Sequence, residues 1–261
     1  MNPGSVLEVR SVTVRFGGLT ALDAVSLVVP PRHVMGVIGP NGAGKTTLLN
    51  VLCGFIRPDD GEVFFGGRRH QVRPHQLAGL GVARTLQGVG LYNGLTALEN
   101  VMVGVTCRAK AGFWSALLAL PRAGRDERML RGLARQALER VGAADVAGAR
   151  PSELSYGMRK KVALARALAA KPGLILLDEP ASGLSELELT ELGRLIRDLA
   201  TEGSLMVVEH HVDLMMSVCD SIVVLDFGRV IASGSPREVQ DNPMVTAAYL
   251  GTAEASEGPA E

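Results

Sequence analysis

The sequence predicts an α/β fold in which a mainly parallel sheet is covered by helices and interrupted by an all-helical insert. Strand patterns alternate with helical patterns near both ends of the chain, which is typical of a parallel sheet with covering helices. From about Leu91 to Lys171 the periodicity is helical only. With 261 residues, 47% of them hydrophobic, the chain can bury the core of one large domain with a subdomain.

The first elements along the chain are predicted strands. "LEVRSVTVRF" and "AVSLVV" alternate apolar and polar residues, as half-buried strands do. "HVMGVIG" predicts a buried strand that runs into a glycine-rich turn, and a helix follows from near Lys45 to about Gly54. "GEVFFGG" and "GVARTLQ" predict two more strands, the second of which ends at Gln87.

The second half of the chain begins with helices and returns to strands. "RDERMLRGLARQALERVGA" predicts an amphipathic helix within the insert. Beyond the insert, "LILLDE", "SLMVVEH" and "SIVVLDF" predict strands separated by helices, and "GTAEASEGPAE" ends the chain as a small, polar, acidic stretch. We therefore expect one domain over residues 1–250, with a helical subdomain inserted at about 88–170, and a flexible tail over residues 251–261.

Composition and charge argue against several classes of protein. The 27 basic and 27 acidic residues give a formal net charge of zero, so charge gives no reason to expect a nucleic-acid partner. The N-terminus lacks the charged and apolar regions of a signal peptide. The longest candidate for a membrane span, Gly112–Leu120, is about half of the ~18 residues that a span needs. We expect a cytosolic protein, or a peripheral one on the cytosolic side of a membrane.

The stretch "GPNGAGKTT" matches the phosphate-loop pattern G-x-x-x-x-G-K-[ST] and lies between a predicted strand and a predicted helix. The glycines let backbone N–H groups point at a phosphate, and the helix adds its positive N-terminal end. Lys45 would reach the β- and γ-phosphates, and the Thr46 hydroxyl would coordinate Mg²⁺. The residues expected to hold a nucleotide are Gly39, Asn41, Gly42, Ala43, Gly44, Lys45, Thr46 and Thr47. The alternative is a fortuitous glycine-rich turn.

Two adjacent carboxylates, Asp178 and Glu179, end the apolar strand "LILL". A buried carboxylate is costly unless it is paired, hydrogen-bonded or holding a metal. In P-loop NTPases an Asp at the end of a buried strand supports Mg²⁺, and Asp178 fits that role. Glu179 would then face the attacking water as a general base. The alternative is an acidic strand end that neighbouring groups satisfy.

The motifs resemble, in their order along the chain, those of the ABC ATPases. "LSYGM" is similar to the signature of that family, "RTLQ" to its Q-loop, "LILLDEP" to its second Walker motif, "ASGLS" to its D-loop and "VVEHH" to its switch region. The resemblance covers nearly the whole chain. It implies an ABC-ATPase fold, in which a P-loop NTPase core sheet carries an antiparallel β subdomain and an inserted α-helical subdomain, with ATP and Mg²⁺ as cofactors.

The resemblance also implies roles for single residues. Phe16 would stack on adenine, while Ser155 and Gly157 would hold the γ-phosphate of ATP bound to a second cassette, because two cassettes of this family dimerise head to tail. His210 would contact the γ-phosphate and hold the attacking water, and Gln87 would connect ATP and Mg²⁺ to the helical insert. Phe16 could instead be a core or edge aromatic residue, Gln87 a polar strand end and His210 a structural histidine.

Four positions depart from the family pattern. Tyr156 replaces the second glycine of the signature, and Met158 replaces the glutamine that follows it. Ser185 and His211 stand where Asp is common in the D-loop and the switch region. None of these departures removes a group expected to do the chemistry. They concern the hydrolysis rate and the dimer contacts.

Further stretches resemble the ATP-binding subunits of branched-chain amino acid importers: "FGGLTALDAVSL", "LTALENVMVG", "DEPASGL" and "NPMVTAAYLG". This resemblance implies work at the cytoplasmic face of the cell membrane, with membrane permease subunits and a second ATPase subunit, identical or paralogous, as partners. An extracytoplasmic binding protein would deliver the solute. Three alternatives remain open: an importer of another solute such as an amide, urea or another amino acid, a lipopolysaccharide-type exporter, and a soluble ABC ATPase without a transporter.

Overall fold

The structure is a computed structural model that describes residues 5–71, 73–85, 89–106 and 121–256. The strands of the described residues form two sheets, one antiparallel and one mainly parallel. The helices pack on the faces of the parallel sheet or extend from it. This architecture confirms the predicted fold class.

The antiparallel sheet has the strand order β2-β1-β4-β5. Its strands are β1 (Leu7–Phe16), β2 (Leu19–Val29), β4 (Asp60–Phe65) and β5 (Arg68–Arg69). Val9 pairs with Leu27 on one side and with Val63 on the other. All three side chains are buried, so one face of this sheet belongs to the core.

The second sheet, which we call the core sheet, has the order β10-β9-β3-β8-β7-β6. Its strands are β3 (Val34–Ile38), β6 (Val82–Arg84), β7 (Leu174–Asp178), β8 (Ser204–Val208), β9 (Ser221–Asp226) and β10 (Arg229–Gly234). All neighbours are parallel except the pair β9–β10. The carboxyl ends of five strands therefore meet along one edge, where ligands bind in open α/β sheets.

The helices of the described residues fall into three groups. Helix α1 (Lys45–Leu52) follows β3 directly. Between β6 and β7 the chain forms α2 (Ala97–Val103), α3 (Pro121–Arg140) and α4 (Tyr156–Leu168), which pack on one another. After β7 come α5 (Glu186–Ala200), α6 (Val212–Val218), α7 (Pro236–Gln240) and α8 (Pro243–Ser256).

The core sheet separates two hydrophobic clusters, and the alternation of side chains along β7 shows how. Leu174 and Leu176 lie in the cluster shared with α1 and the antiparallel sheet. Ile175 and Leu177 lie in the cluster shared with the helices of the other face. Because successive side chains of a strand point to opposite faces, an uninterrupted apolar run is what a strand buried on both faces needs.

Two boundaries differ from the sequence-based expectation. Strand β6 ends at Arg84, three positions before Gln87, which lies outside the described residues. Helix α8 continues to Ser256, so the boundary expected at residue 250 falls inside a helix, because the small residues of this stretch include the good helix former Ala. Within the described part of the chain, no helix is long and apolar enough to span a membrane.

Candidate nucleotide-binding and hydrolysis site

The phosphate loop connects the carboxyl end of β3 to the first residue of α1. Gly39 and Gly44 have φ angles of +152° and +100°, which L side chains rarely adopt. A Cβ atom at Gly44 would lie 2.5 Å from the carbonyl oxygen of Ala21, and one at Gly39 would overlap the carbonyl oxygen of Leu225. These two positions therefore require glycine both for conformation and for space.

The side chain of Lys45 turns back over the loop. It is 8% exposed, and its Nζ donates hydrogen bonds to the carbonyl oxygens of Gly39 at 2.5 Å and Pro40 at 2.8 Å. Burial lowers the pKa of Lys45, and the nearby charge of Glu179 opposes that shift. The cationic head thus lies within the curve of the loop, close to the catalytic-base candidate.

The other residues of the loop divide into a supporting set and an accessible set. The carbonyl oxygen of the buried Ala43 accepts the N–H of Gly228 at 3.1 Å, which fixes the loop to the turn after β9. Asn41, Gly42 and Thr46 are exposed and Thr47 is half-buried. The Thr46 hydroxyl is therefore accessible at the start of α1, where the helix dipole favours an anion.

Asp178, at the end of β7, is 4% exposed and paired. The guanidinium of Arg84 contacts its Oδ2 at 2.9 Å through Nη2 and the Oδ1 of Asn50 at 2.9 Å through Nη1. The N–H of Asp178 donates to the Oγ of Thr85 at 3.3 Å. The buried carboxylate is thus satisfied by Arg84, a residue that we did not single out although it lies three positions before Gln87.

Glu179 follows Asp178 and has the unusual φ angle of +46°. Non-glycine residues adopt this left-handed region rarely, and mostly where the surroundings hold them in place. The N–H of Glu179 donates to the carbonyl oxygen of Val208 at 2.9 Å, across to the end of β8. This conformation turns the chain sharply at the carboxyl edge of the core sheet, and the Glu179 side chain is half-buried there.

His210 follows β8, and its side chain is 50% exposed. The preceding residue, Glu209, is fully buried and holds three backbone N–H groups: Oε1 accepts from Ala181 at 2.5 Å, and Oε2 accepts from His210 at 3.0 Å and His211 at 3.4 Å. Glu209, His210 and His211 lie close enough together to be considered as metal ligands. Since both oxygens of the Glu209 carboxylate accept backbone N–H groups, its role is better described as a bridge between backbone segments than as a metal ligand. Sequence reasoning missed Glu209.

Ser155 and Gly157 lie at the N-terminus of α4, in the helical region rather than at the edge of the core sheet. Ser155 is exposed, and its Oγ caps the helix by accepting the N–H of Met158 at 3.2 Å. A Cβ at the buried Gly157 would overlap a carboxylate oxygen of Glu188. The N-terminus of α4 therefore presents an accessible hydroxyl next to a glycine whose Cβ position is taken by the Glu188 side chain.

Phe16 is the last residue of β1 and pairs with Leu19 across the hairpin. Its side chain is 51% exposed, which excludes the core alternative and leaves an edge aromatic residue with an accessible ring. The structure thus gathers the phosphate loop, Asp178, Glu179 and His210 at one edge. Phe16 lies on the antiparallel sheet.

The geometry is that of a nucleotide-binding cassette, and comparison with known families and proteins agrees. Residues 22–182 match the family described as ABC transporter, and residues 229–255 match the one described as branched-chain amino acid ATP-binding cassette transporter. The high-affinity branched-chain amino acid transport ATP-binding protein BraF of Pseudomonas aeruginosa is 40% identical over 95% of this chain and 98% of its own. The protein LivG of Escherichia coli, described in the same words, is 37% identical over 95% and 98%.

Solved structures of ATP-binding cassettes support the same family assignment. A cassette of an ABC transporter in its ADP conformation superposes with a TM-score of 0.82 at 30% identity, covering 95% of this chain and 99% of that one. A dimeric cassette in a post-hydrolysis state, bound to ADP and phosphate, superposes with a TM-score of 0.75 at 25% identity, covering 88% and 99%. The chain belongs to the ABC transporter family, as a transport-coupled, ATP-hydrolysing subunit of the branched-chain amino acid type.

Proposed function

We propose that this chain binds ATP at the edge of the core sheet and hydrolyses it to power the uptake of branched-chain amino acids through membrane permease subunits. The observation that carries the chemistry is the meeting of three elements at one edge. These are the phosphate loop with Lys45, the strand end with Asp178 and Glu179, and the strand end with His210. The solute follows from the two relatives named above, which cover almost the whole chain.

Each group has one role in the proposed reaction. Lys45 neutralises charge on the β- and γ-phosphates, and the exposed Phe16 stacks on adenine. Glu179 accepts the proton of the attacking water as a general base. His210 contacts the γ-phosphate and helps to hold that water. Gln87, the remaining member of the predicted catalytic set, is carried over from the family motif alone.

Thr46, Asp178 and Gln87 are the proposed Mg²⁺ ligands. A hydroxyl, a carboxylate and an amide oxygen are the hard donors that Mg²⁺ prefers. The Asp178 carboxylate fits this role because it is buried and Arg84 holds it in one orientation through Oδ2. Bound Mg²⁺ would neutralise charge on the β- and γ-phosphates.

A second cassette completes the proposed site. Ser155 and Gly157 lie on the helical region, where an accessible helix N-terminus suits a phosphate held by another molecule. We propose head-to-tail dimerisation, with a second copy or a paralogue, and ATP between the two cassettes. Closure then requires ATP and opening follows hydrolysis.

The proposed partners are permease subunits at the cytoplasmic face of the cell membrane, contacted through the helical region near Gln87. The solute reaches them from an extracytoplasmic binding protein, and this chain itself need not touch the solute. No nucleic acid takes part.

The uptake of labelled leucine tests this function. Cells that carry the native permeases would express the wild-type chain or Lys45→Ala, with isoleucine, valine, an amide and urea as competitors. We expect Lys45→Ala to abolish uptake, because the charge at the phosphates is lost, and we expect only the aliphatic amino acids to compete. Unchanged uptake with Lys45→Ala would contradict the proposed solute.

A further inference from the structure

The segment Glu179–Leu184, which follows β7 and which we call the linking segment, is held on one side by a lysine of α4. The Nζ of Lys160 donates to the carbonyl oxygens of Glu179 at 3.3 Å, Pro180 at 2.9 Å and, more closely, Ser182. An ammonium group has three N–H donors. All three therefore meet carbonyl groups of this one short segment.

On its other side the linking segment is held by Glu209. The Oε1 of this carboxylate accepts the N–H of Ala181 at 2.5 Å, and its Oε2 accepts the N–H groups of His210 and His211. Glu209 is fully buried, and a buried carboxylate is stable only when such donors surround it. Glu209 therefore fixes the linking segment to the start of the switch region.

The two holding groups carry opposite charges and act on the same backbone. Burial lowers the pKa of Lys160, while the charges of Glu209 and Glu179 raise it and thereby help to keep the ammonium protonated. Both groups hold the backbone that carries Glu179, so the loss of one changes the setting in which the other acts. Lys160 and Glu209 should therefore behave as a coupled unit in mutational experiments.

The backbone that they hold is the strained part of the site. Glu179 adopts a φ angle of +46°, and such a conformation persists only where the surrounding structure holds it. The Glu179 carbonyl is one acceptor of Lys160, and Ala181, two residues on, is the donor to Glu209. The direction of the Glu179 side chain thus depends on both contacts.

We propose that Lys160 and Glu209 are positioning residues for hydrolysis, which hold the linking segment so that the Glu179 carboxylate keeps the place of the general base. The inference rests on the proposed role of Glu179. Lys160 lies one turn into α4, whose first turn contains Gly157. The same lysine therefore connects the helix end that faces a second cassette to the catalytic carboxylate of its own chain.

Lys160→Met in the full-length chain tests the proposal, with Lys161→Met as the matched control. Lys161 is the next residue of α4 but pairs with Glu191 instead of the linking segment. We expect Lys160→Met to lower kcat by about 10- to 100-fold, since a catalytic group misplaced by about 1 Å costs that much. The KM for ATP should stay within about twofold, and Lys160→Arg should restore most of kcat. Lys161→Met should leave kcat and KM unchanged.

Glu209→Gln is the second variant, and it keeps the shape of the side chain while removing its charge. We expect it to lower kcat without changing ATP affinity, and the double variant with Lys160→Met should lose less than the product of the two single losses. A kcat within twofold of wild type for Lys160→Met would overturn the proposal. So would a loss that Lys160→Arg does not restore and that accompanies a lower unfolding temperature.

Glu179→Gln, measured in the same assay, distinguishes a failure of the proposed general-base mechanism from a failure of the positioning role of Lys160 and Glu209. Normal turnover in Glu179→Gln would remove the general base, and with it both the proposed mechanism and this proposal. Lost turnover in Glu179→Gln together with normal turnover in Lys160→Met and Glu209→Gln would leave the mechanism standing and overturn the positioning role alone.

Discussion

The carboxyl edge of the core sheet and the N-terminus of α4 both suit a phosphate, but they are built in opposite ways. At the sheet edge Lys45 and Asp178 are almost fully buried, and neighbouring groups hold both. At the helix N-terminus Ser155 is exposed and, among the described residues, bonds only to the helix that it caps.

The difference indicates how work is divided within the molecule. Groups that must be aligned for a chemical step gain from a rigid, pre-arranged setting. A surface that engages and releases another molecule must stay accessible. We infer that the sheet edge is the catalytic half of a site and that the helix N-terminus is the recognition half of another, supplied to a partner cassette.

The strongest test of the catalytic half is Glu179→Gln. We expect ATP to bind normally and hydrolysis to fall by about 10²- to 10⁴-fold, because the general base is lost. An ATP-dependent dimer should then accumulate, visible by gel filtration. Normal turnover without any shift in elution would assign the base to another group.

The recognition half is tested by Ser155→Ala, with the exposed Ser152→Ala just before it as control. Loss of a hydrogen bond to a charged phosphate is expected to lower hydrolysis about 10-fold or more. The affinity of the monomer for ATP, measured by equilibrium binding, should not change. If Ser155→Ala weakened the binding of ATP to the monomer, as the loss of the Lys45 charge at the phosphates would, the two regions would belong to one site and the comparison would fail.

Phe16→Ala asks whether the antiparallel sheet contributes to the catalytic half. Stacking of a base on an aromatic ring contributes about 1–3 kcal/mol, so ATP affinity should fall about tenfold. The unfolding temperature should stay nearly constant, because the ring is 51% exposed. Leu19→Ala, at the paired position of the same hairpin, should leave affinity unchanged. A loss of stability without a loss of affinity would make Phe16 a structural residue.

The smallest expected effect concerns Ser185, the N-cap residue of α5, which shares hydrogen bonds with Glu188. Hydrogen bonds from the backbone and side chain of Ser185 hold the pKa of Glu188 below its ordinary value of 4.5. A carboxyl with a lowered folded-state pKa stabilises the fold above its unfolded pKa and loses that effect as the pH falls through the folded value. Ser185→Ala should therefore lower the urea midpoint at pH 7, and the difference from wild type should shrink below pH 4.5. A difference that is the same at pH 3 would exclude the carboxylate.

The sequence alone indicated which loop and which strand ends form the candidate site, because the motifs there are local. A glycine-rich loop between a strand and a helix, and carboxylates at the end of a buried strand, are recognised over a few consecutive residues. Ser185, which stands where the family commonly has Asp, can be understood in the same local way. Its hydroxyl caps α5 by accepting the N–H of Glu188, and an Asp side chain can cap a helix in the same manner.

The side chains that hold the site were not predictable in the same way. Arg84 and Asp178 are far apart in sequence and meet because β6 and β7 are adjacent strands. Lys160 reaches the linking segment from a helix, and Glu209 reaches it from a third strand end. Such contacts depend on strand order and side-chain reach, which local patterns do not encode. The role of Gln87 stays a prediction.

The placement of the helical region between β6 and β7 has a consequence for how this molecule tolerates change. These strands are parallel neighbours, with Val82 beside Leu174, so the whole region is an enlarged crossover that leaves one strand and returns to the next. The entropy of closing such a connection grows only with the logarithm of its length. The core sheet therefore sets where this module begins and ends but not how large it is, so insertions away from Gln87 and from the N-terminal half of α4 are expected to alter docking while leaving the hydrolytic machinery intact.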